Sequence, residues 1–179
     1  MKGIVFNAFE EMIVGEHGED AWDDLLDQAG LEGAYTSVGS YPYEELLALV
    51  GAAEHVYGVP ADDLVRALGR SAIPLFAARF PAIFEPYHDA RSLVLCLNEI
   101  IHAEVRKLYP GADVPTFDYE FPGPNVVLMG YRSKRKLCTL GEGLVEGTAH
   151  YYGETVSIEQ PTCMRRGDPR CTLAIRFGA

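Results

Sequence analysis

The chain of 179 residues has no long apolar segment. Its apolar N-terminus is interrupted by Glu10 and Glu11, which leaves it too short for a signal-peptide core. No stretch approaches the ~20 apolar residues that a membrane-spanning helix needs. We therefore expect a cytoplasmic protein with no membrane partner, whose four cysteines are reduced thiols.

Basic side chains are scarce in most of the chain. Lysine and arginine number 15 against 26 aspartates and glutamates, for a net charge of −11. Residues 1–130 hold 7 basic and 21 acidic side chains, whereas residues 131–179 hold 8 and 5. A protein this acidic binds nucleic acid poorly, so no nucleic-acid partner is expected. The basic excess of the last quarter indicates that something there requires positive charge.

The motifs of several common enzyme classes are also missing. The sequence has no glycine-rich phosphate loop, no Gly-x-Ser-x-Gly motif and no defensible acid–base constellation. It has no internal repeats and no long linker. The length suits one domain, or one domain with two lobes, better than two independent ones.

The hydrophobic pattern predicts an α+β fold in which helices come first and a small antiparallel sheet follows. We expect an N-terminal helix ended by Gly15 and Gly18, and a later helix that starts at Pro60 and is ended or kinked by Pro74. The longest helix is expected over residues 89–109, stopped by Pro110 and Gly111. The other predicted helices cover residues 20–29, 43–57 and 141–152, and the strands cover residues 116–121, 126–135, 154–159 and 170–177.

Residues 131–136 place three hydrogen-bonding side chains at alternate positions. On a strand, Tyr131, Ser133 and Arg135 share one face within about 14 Å. All three can donate hydrogen bonds, and arginine can form a forked pair with a carboxylate. They are a candidate receptor for an anion that carries carboxylates or phosphates. The alternative is a solvated sheet edge whose charges prevent aggregation.

His102 lies in the middle of a strongly apolar helical pattern. A histidine at such a position is most often a satisfied core or boundary residue. The sharper interpretation is an axial ligand to haem iron, for which neutral imidazole is a common donor. Zinc is disfavoured there, because no HxxxH or HxxE spacing surrounds the residue.

Three of the four cysteines lie towards the C-terminus. Cys163 and Cys171 flank a Gly-Asp-Pro hairpin turn, which can bring both sulfurs to one metal ion, and Cys138 is a candidate third ligand. Structural zinc takes four ligands, yet no histidine is close to this pair, and Gln160 stands three residues before the first thiol. The alternative is three reduced core cysteines. Cys96 is expected to be buried by packing.

Three features together resemble the haem–nitric oxide/oxygen-binding (H-NOX) family. They are the opening Met-Lys-Gly-Ile-Val-Phe-Asn, His102 in a long helix, and Tyr131-x-Ser133-x-Arg135 after a strand. The resemblance covers essentially the whole chain, whose length matches a stand-alone bacterial member. It implies one haem-binding domain over residues 1–179, with haem between a distal helical lobe (about 1–63) and a proximal lobe (about 64–179).

The resemblance also assigns roles to residues. It makes His102 the axial ligand of haem b (iron protoporphyrin IX) and gives the two haem propionates to Tyr131, Ser133 and Arg135. The implied haem-pocket residues are Pro115, which would pack on the haem and help to bend it, together with Val5, Phe9, Leu140 and Leu144.

One departure from the family pattern determines which gases are expected to bind. Oxygen-binding members place a tyrosine near the start of the helix after the signature strand, where this chain has Leu140 and one weak donor, Thr139. Without a donor, the partial charge on bound oxygen is not stabilised, whereas nitric oxide needs no such help. The resemblance thus implies a sensor, not an enzyme, that binds nitric oxide and carbon monoxide but excludes oxygen. A weakened iron–His102 bond would signal to a histidine kinase or a cyclic-di-GMP enzyme.

A subset of the family carries zinc on three cysteines and a histidine. Cys138, Cys163 and Cys171 match the thiols, but Gln160 stands at the histidine position, which leaves the fourth ligand, or zinc itself, open. Two alternatives to gas sensing remain. The cysteine hairpin also resembles haem-free, vinyl-reductase-like small-molecule-binding domains, and the thiols are candidates for a zinc or redox switch.

Overall fold

The computed structural model describes residues 1–109 and 112–178 and shows the predicted α+β fold. None of the described helices is long and apolar enough to cross a membrane. The helices are α1 (Gly3–His17), α2 (Asp20–Ala29), α3 (Tyr43–Tyr57), α4 (Ala61–Arg79), α5 (Pro81–Phe84), α6 (Ala90–Leu95), α7 (His102–Leu108) and α8 (Cys138–Tyr151). The strands are β1 (Thr116–Gly123), β2 (Val126–Arg132), β3 (Val156–Thr162) and β4 (Cys171–Phe177).

The first four helices share one hydrophobic core. Apolar residues at helical spacing face inward, so Phe9, Leu25, Leu49 and Leu68 are all fully buried. The ring of Phe9 meets Trp22 edge-on, with centroids 5.9 Å apart. The lobe boundary predicted near residue 63 falls in the first turn of α4, a helix whose residues up to Ala72 belong to this core.

Two predicted helix ends are corrected in part, because Gly18 but not Gly15 ends α1, and Pro74 does not end α4. Helix α1 continues through Gly15 and ends at Gly18, which has φ 96°. Helix α4 continues through Pro74 to Arg79. A proline removes one backbone donor. The flanking Ile73 and Ala77 are buried, and their packing supports the helix across that gap.

The uninterrupted helix expected over residues 89–109 is also wrong. Asp89 caps the start of α6, because its carboxylate accepts a hydrogen bond from the Ser92 amide at 2.7 Å. A π-helical segment, Leu97–Ile101, then separates α6 from α7. Such wide turns insert one extra residue and occur frequently at functional sites. The predicted stop at Pro110 and Gly111 lies outside the described residues.

The four strands form one antiparallel sheet in the order β1-β2-β4-β3. The predicted alternation in β4 is confirmed, because Cys171, Leu173, Ile175 and Phe177 are all buried. Together with Val127 and Met129 of β2, this face packs against α6 and α8.

Strand β2 is shorter than predicted and ends at Arg132. Ser133 and Arg135 therefore do not alternate along a strand. They lie in a turn, in which the Lys136 amide donates to the Ser133 carbonyl at 3.1 Å and Lys136 itself has φ 52°. Helix α8 starts at Cys138, three residues before the predicted start. The chain therefore has only five residues, 133–137, in which to pass from β2 to α8, and a turn does this.

Helices α4 and α8 cross at very short distance because glycines face each other. A Cβ on Gly69 would lie 2.6 Å from the Leu140 carbonyl oxygen, and one on Gly147 would lie 2.6 Å from that of Arg70. A Cβ on Gly143 would overlap the Arg66 carbonyl. This close crossing positions α8 firmly, and α8 carries residues of both sites described below.

Candidate functional site: an apolar cavity and a thiol cluster

An apolar cavity of about 250 Å³ lies where α4, the π segment, α8 and the sheet meet. Most of its wall is aliphatic or aromatic. It brings together most of the predicted pocket and anion-binding residues, which are His102, Pro115, Tyr131, Ser133, Arg135, Leu140 and Leu144.

Two of the predicted pocket residues are not among the residues that line this cavity. Phe9 is fully buried and packs in the core of the first four helices. Val5 is half-buried and packs against the same core. Both side chains lie on α1 and pack between helices. The N-terminal contribution to the cavity wall comes from Met1.

His102 is the first residue of α7, directly after the π segment. Its imidazole stacks on the ring of Phe117, with centroids 5.4 Å apart and an interplanar angle of 18°. Burial, with the positive charges of Arg106 and Arg135, lowers the pKa of His102 to about 4, although the Pro115 carbonyl opposes this shift. The imidazole is therefore neutral at pH 7.

That imidazole has an unsatisfied nitrogen. Among the described residues, none pairs with its buried Nδ1, and the Pro115 carbonyl does not reach hydrogen-bond geometry with it. A buried ring nitrogen without a partner is costly, so this one marks the ring as a candidate for a functional role. A neutral imidazole in an apolar cavity is the donor that haem iron takes from a protein.

The turn after β2 forms the polar end of the cavity. Tyr131 is buried, and its hydroxyl accepts a hydrogen bond from the Leu137 amide at 3.1 Å. The Ser133 hydroxyl accepts from the Arg135 amide at 3.3 Å. These bonds use acceptor capacity, and the Ser133 side chain also interacts with the Tyr131 hydroxyl, so the two groups form one small polar cluster at the end of the cavity.

Arg135 lacks a close counter-charge in the described part of the chain. Its side chain is only 16% exposed, and the one carboxylate paired with it, on Asp113, is 3.8 Å away. Its other contact is the Met1 sulfur, at 3.7 Å. A largely buried guanidinium needs a better acceptor than these. The cavity thus offers an imidazole in an apolar wall and an anion receptor at one end, which fits a porphyrin that bears carboxylates.

Two residues of this region were missed by the sequence reasoning. Phe117 stacks on His102, and Asn98 holds the backbone of Phe117. The alternation in β1, which puts Phe117 on one face with Tyr119, was the available signal for the aromatic residue. Nothing in the pattern pointed to Asn98, because its partner is distant in sequence.

The three C-terminal cysteines form a buried cluster. The sulfur of Cys163 is 3.8 Å from that of Cys138 and 4.0 Å from that of Cys171. All three sulfurs lie within 4.8 Å of one another. The β3–β4 hairpin supplies two of them and the start of α8 supplies the third. The same cluster packs against Tyr131 of the cavity.

The pKa values of Cys171 and Cys163 are shifted in opposite directions. Burial raises the pKa of Cys171, and its neighbouring sulfurs add to that effect. Burial opposes ionisation of Cys163 as well, but hydrogen bonds from the Arg165 backbone and from the other two thiols lower its pKa below the usual value. Three sulfurs this close match the spacing of ligands around one thiophilic metal ion.

No fourth acidic or histidine ligand joins the three thiols within the described ranges. Gln160 lies in β3, and its backbone carbonyl accepts a hydrogen bond from Arg166 at 2.8 Å. Its side-chain Nε2 is buried and has no partner among the described residues. The three thiols alone thus fit a metal site only with a ligand from another source.

The chain also matches a known protein family. The profile of the haem-NO-binding family matches residues 2–160. The chain belongs to this family. The match confirms the resemblance to H-NOX domains and supports a haem-based gas-sensing domain. It ends at Gln160, before two of the clustered cysteines.

Solved H-NOX structures have the same fold. An H-NOX protein from S. oneidensis in the Fe(II)NO ligation state is 32% identical, with a TM-score of 0.93 over 100% of each chain. An NMR structure from Shewanella oneidensis in the Fe(II)CO state is also 32% identical, with a TM-score of 0.90 over 99% of this chain and 98% of that chain. The unliganded Fe(II) protein from K. algicida is 29% identical, with a TM-score of 0.88 over 100% and 97%. A comparison with curated proteins found no match.

Proposed function

We propose that this H-NOX domain is a haem-based sensor that binds nitric oxide and carbon monoxide and excludes oxygen. The observation that carries the proposal is the meeting, in one apolar cavity, of the neutral imidazole of His102 with the poorly paired guanidinium of Arg135. His102 would hold the iron, and Tyr131, Ser133 and Arg135 would hold the propionates. Haem b, when bound, supplies the ferrous iron that takes up the gas.

The apolar lining supports the exclusion of oxygen. Leu140 and Leu144 face the cavity from α8, where a donor would be needed. Thr139 does not line it, and its hydroxyl lies 3.4 Å from the guanidinium of Arg165. The hydroxyl of Thr148, which does line it, donates to the Leu144 carbonyl at 2.7 Å. The Thr148 proton is thus engaged, and Thr139 lies outside the cavity lining, so neither hydroxyl is placed to stabilise charge on bound oxygen.

A visible absorption spectrum tests the assignment. Purified ferrous protein should be red, and its Soret band should shift when nitric oxide is added but not in air. In His102→Ala, the five-coordinate histidine-ligated spectrum should be lost and should return with added imidazole. Colourless protein, or an unchanged ferrous spectrum in His102→Ala, would contradict the proposal. A colourless protein would instead favour the haem-free small-molecule-binding module.

Signal output is proposed to start at the same residue. His102 joins the cavity to α7, so a change in the tension on its imidazole acts on that helix and the π segment. A non-enzymatic sensor needs a second protein to read this change. A histidine kinase or a cyclic-di-GMP enzyme is the proposed partner, since family resemblance favours both. Co-purification of the domain with such an enzyme, lost when nitric oxide is added, is the corresponding test.

Zinc binding by Cys138, Cys163 and Cys171 is a second proposed property, favoured by the 4.8 Å cluster. We expect one zinc per chain, with a water or a group other than histidine as the fourth ligand. Metal analysis should show loss of zinc in Cys163→Ser. The matched control is Cys96→Ser, which removes a buried cysteine outside the cluster and should keep the metal. Equal zinc in both variants would contradict this site.

A further inference from the structure

Asn98 holds the first part of β1 against the π segment. Its amide Nδ2 donates to the Phe117 carbonyl at 2.6 Å, and its Oδ1 accepts from the Phe117 amide at 3.2 Å. Strand β1 is an edge strand, so one side of its backbone has no neighbouring strand. The amide of Asn98 thus satisfies both open backbone groups of Phe117 at once.

Phe117 connects the two functional ends of the cavity. Its ring stacks on His102 at 5.4 Å and lies 5.8 Å from the ring of Tyr131, tilted by 52°. Tyr131 is also its register partner on β2. A displacement of the Phe117 backbone would therefore move the surface on which the imidazole rests.

The π segment places the side chain of Asn98, which clamps the Phe117 backbone, and the imidazole of His102 on the same side of the helix. Asn98 precedes His102 by four residues, about one turn, and both side chains reach Phe117. The imidazole has no hydrogen-bond partner on Nδ1 among the described residues, and the Pro115 backbone acts on the ring only weakly, since burial still lowers its pKa. Stacking on Phe117 is therefore a main contact that orients the ring.

We propose that Asn98 is a positioning residue for His102. By clamping the backbone of Phe117, it fixes the aromatic ring that sets how the imidazole points into the cavity. This inference rests on the proposed role of His102 as the iron ligand. Groups that hold a metal ligand in its orientation typically change metal affinity by about 10-fold or more when they are lost.

The test uses the full-length, haem-loaded ferrous protein and the variant Asn98→Ala. Resonance Raman spectroscopy should show the iron–histidine stretching band shifted and broadened, because the imidazole is no longer held in one orientation. Transfer of haem to an acceptor apoprotein should become about 10-fold faster. Phe117→Leu, which removes the stacked ring and keeps the clamp, should change the band in the same way.

The matched control is Asn7→Ala. Asn7 also bridges distant backbone, with Nδ2 donating to the Tyr35 carbonyl at 3.0 Å and Oδ1 accepting from the Ser37 hydroxyl at 2.9 Å. It should lower the melting temperature without moving the band. If Asn98→Ala does not fold, Asn98→Asp keeps the acceptor for the Phe117 amide and should give an intermediate band.

The outcomes separate two failures. A wild-type iron–histidine band that stays unchanged in the Asn98 variants overturns the positioning role alone. Two other results would overturn the proposed function together with this inference. One is a wild-type protein that carries no haem, and the other is an iron–histidine band that is still present in His102→Ala.

Discussion

At the scale of single residues, the surroundings decide what each side chain can do. His102 and His17 are both imidazoles, yet His17 stacks on Tyr57 near the surface, whereas burial keeps His102 neutral inside the cavity. Arg132 and Arg135 are three residues apart. Arg132 pairs with Asp118 at 2.7 Å, while Arg135 has only Asp113 at 3.8 Å and faces the cavity. The same residue types therefore lie near the surface in one case and line the cavity in the other.

Leu140→Tyr tests the basis of oxygen exclusion. A phenol at this position can donate a hydrogen bond to bound oxygen, so we expect the ferrous protein to form an oxygen complex in air that the wild type does not form. The Soret and visible bands measure this directly. Leu140→Phe, with the same ring and no hydroxyl, is the control and should behave as the wild type. Equal spectra in air for the two variants would contradict the role of the missing donor.

At the scale of elements, α8 connects the two sites. It starts at Cys138 in the thiol cluster, carries Leu140 and Leu144 along the cavity, and crosses α4 through glycines. Arg66 on α4 pairs with Glu142 at 3.1 Å, and its Nε donates to Glu146 at 3.1 Å. Close packing and these ion pairs hold the two helices in one register.

Gly143→Ala tests the crossing. The added Cβ would overlap the Arg66 carbonyl oxygen, so one helix must shift, and we expect a loss of about 1–3 kcal/mol in the free energy of unfolding. Urea denaturation measures it. Gly51→Ala in α3 is the matched control, because nothing lies within 4 Å of its added Cβ. That variant should gain about 0.5–1 kcal/mol, so equal effects in both variants would contradict the packing account.

Arg66→Met should destabilise the protein in a pH-dependent way. Burial raises the pKa of Glu142, whereas hydrogen bonds from Arg66 and Arg70 outweigh burial and lower that of Glu146. Glu146 thus contributes stability above its unfolded pKa, and this is lost as pH falls through its folded value. Without Arg66, Glu142 loses the cation paired with it and Glu146 keeps only Arg70, at a cost of about 2 kcal/mol at pH 7.

The difference between wild type and Arg66→Met should shrink as the pH falls through the lowered pKa of Glu146, because both carboxyls then become protonated in either protein. Urea denaturation at pH 7, 5 and 3.5 checks this. A difference that stays constant with pH would mean that Arg66 acts through packing and not through its charge. Arg176→Met, at an exposed strand position, is the control and should change little at any pH.

At the scale of the whole molecule, the cavity touches two hydrophobic cores. Leu140 and Leu144 pack against the core of the first four helices, and Met129 and Val145 belong to the core under the sheet. A ligand in the cavity therefore contacts both cores. The charge is divided along the chain as well, since no lysine or arginine occurs between Lys2 and Arg66.

Removal of haem should therefore destabilise the whole protein. A ligand present at 1,000 times its Kd adds about 4 kcal/mol to the stability of the state that binds it. Differential scanning calorimetry of the haem-loaded and haem-extracted protein should show a lower melting temperature after extraction. His102→Ala reloaded with haem should fall between the two. Identical melting temperatures would contradict a cavity that joins both cores.

Much of the local structure follows from the sequence pattern. The bounds of α2 and α3, the buried face of β4 and the α+β order were predicted correctly, because each depends on apolar spacing over neighbouring residues. The candidate ligand and anion-binding residues could also be picked out from the sequence, and the cavity brings His102, Tyr131 and Arg135 together. Their roles towards haem stay predictions, as do those of Val5 and Phe9.

The remainder was decided by tertiary structure. The π segment before His102, the turn that carries Arg135 and the clamp from Asn98 to Phe117 all depend on contacts between residues far apart in sequence. Local propensity cannot register such contacts, because burial and partner groups exist only in the folded chain. The amino-acid sequence by itself determined which donors and ligands are available and how most helices begin. Only the folded chain decided which of them meet in one cavity, because packing of α8 against α4 and the sheet creates that cavity.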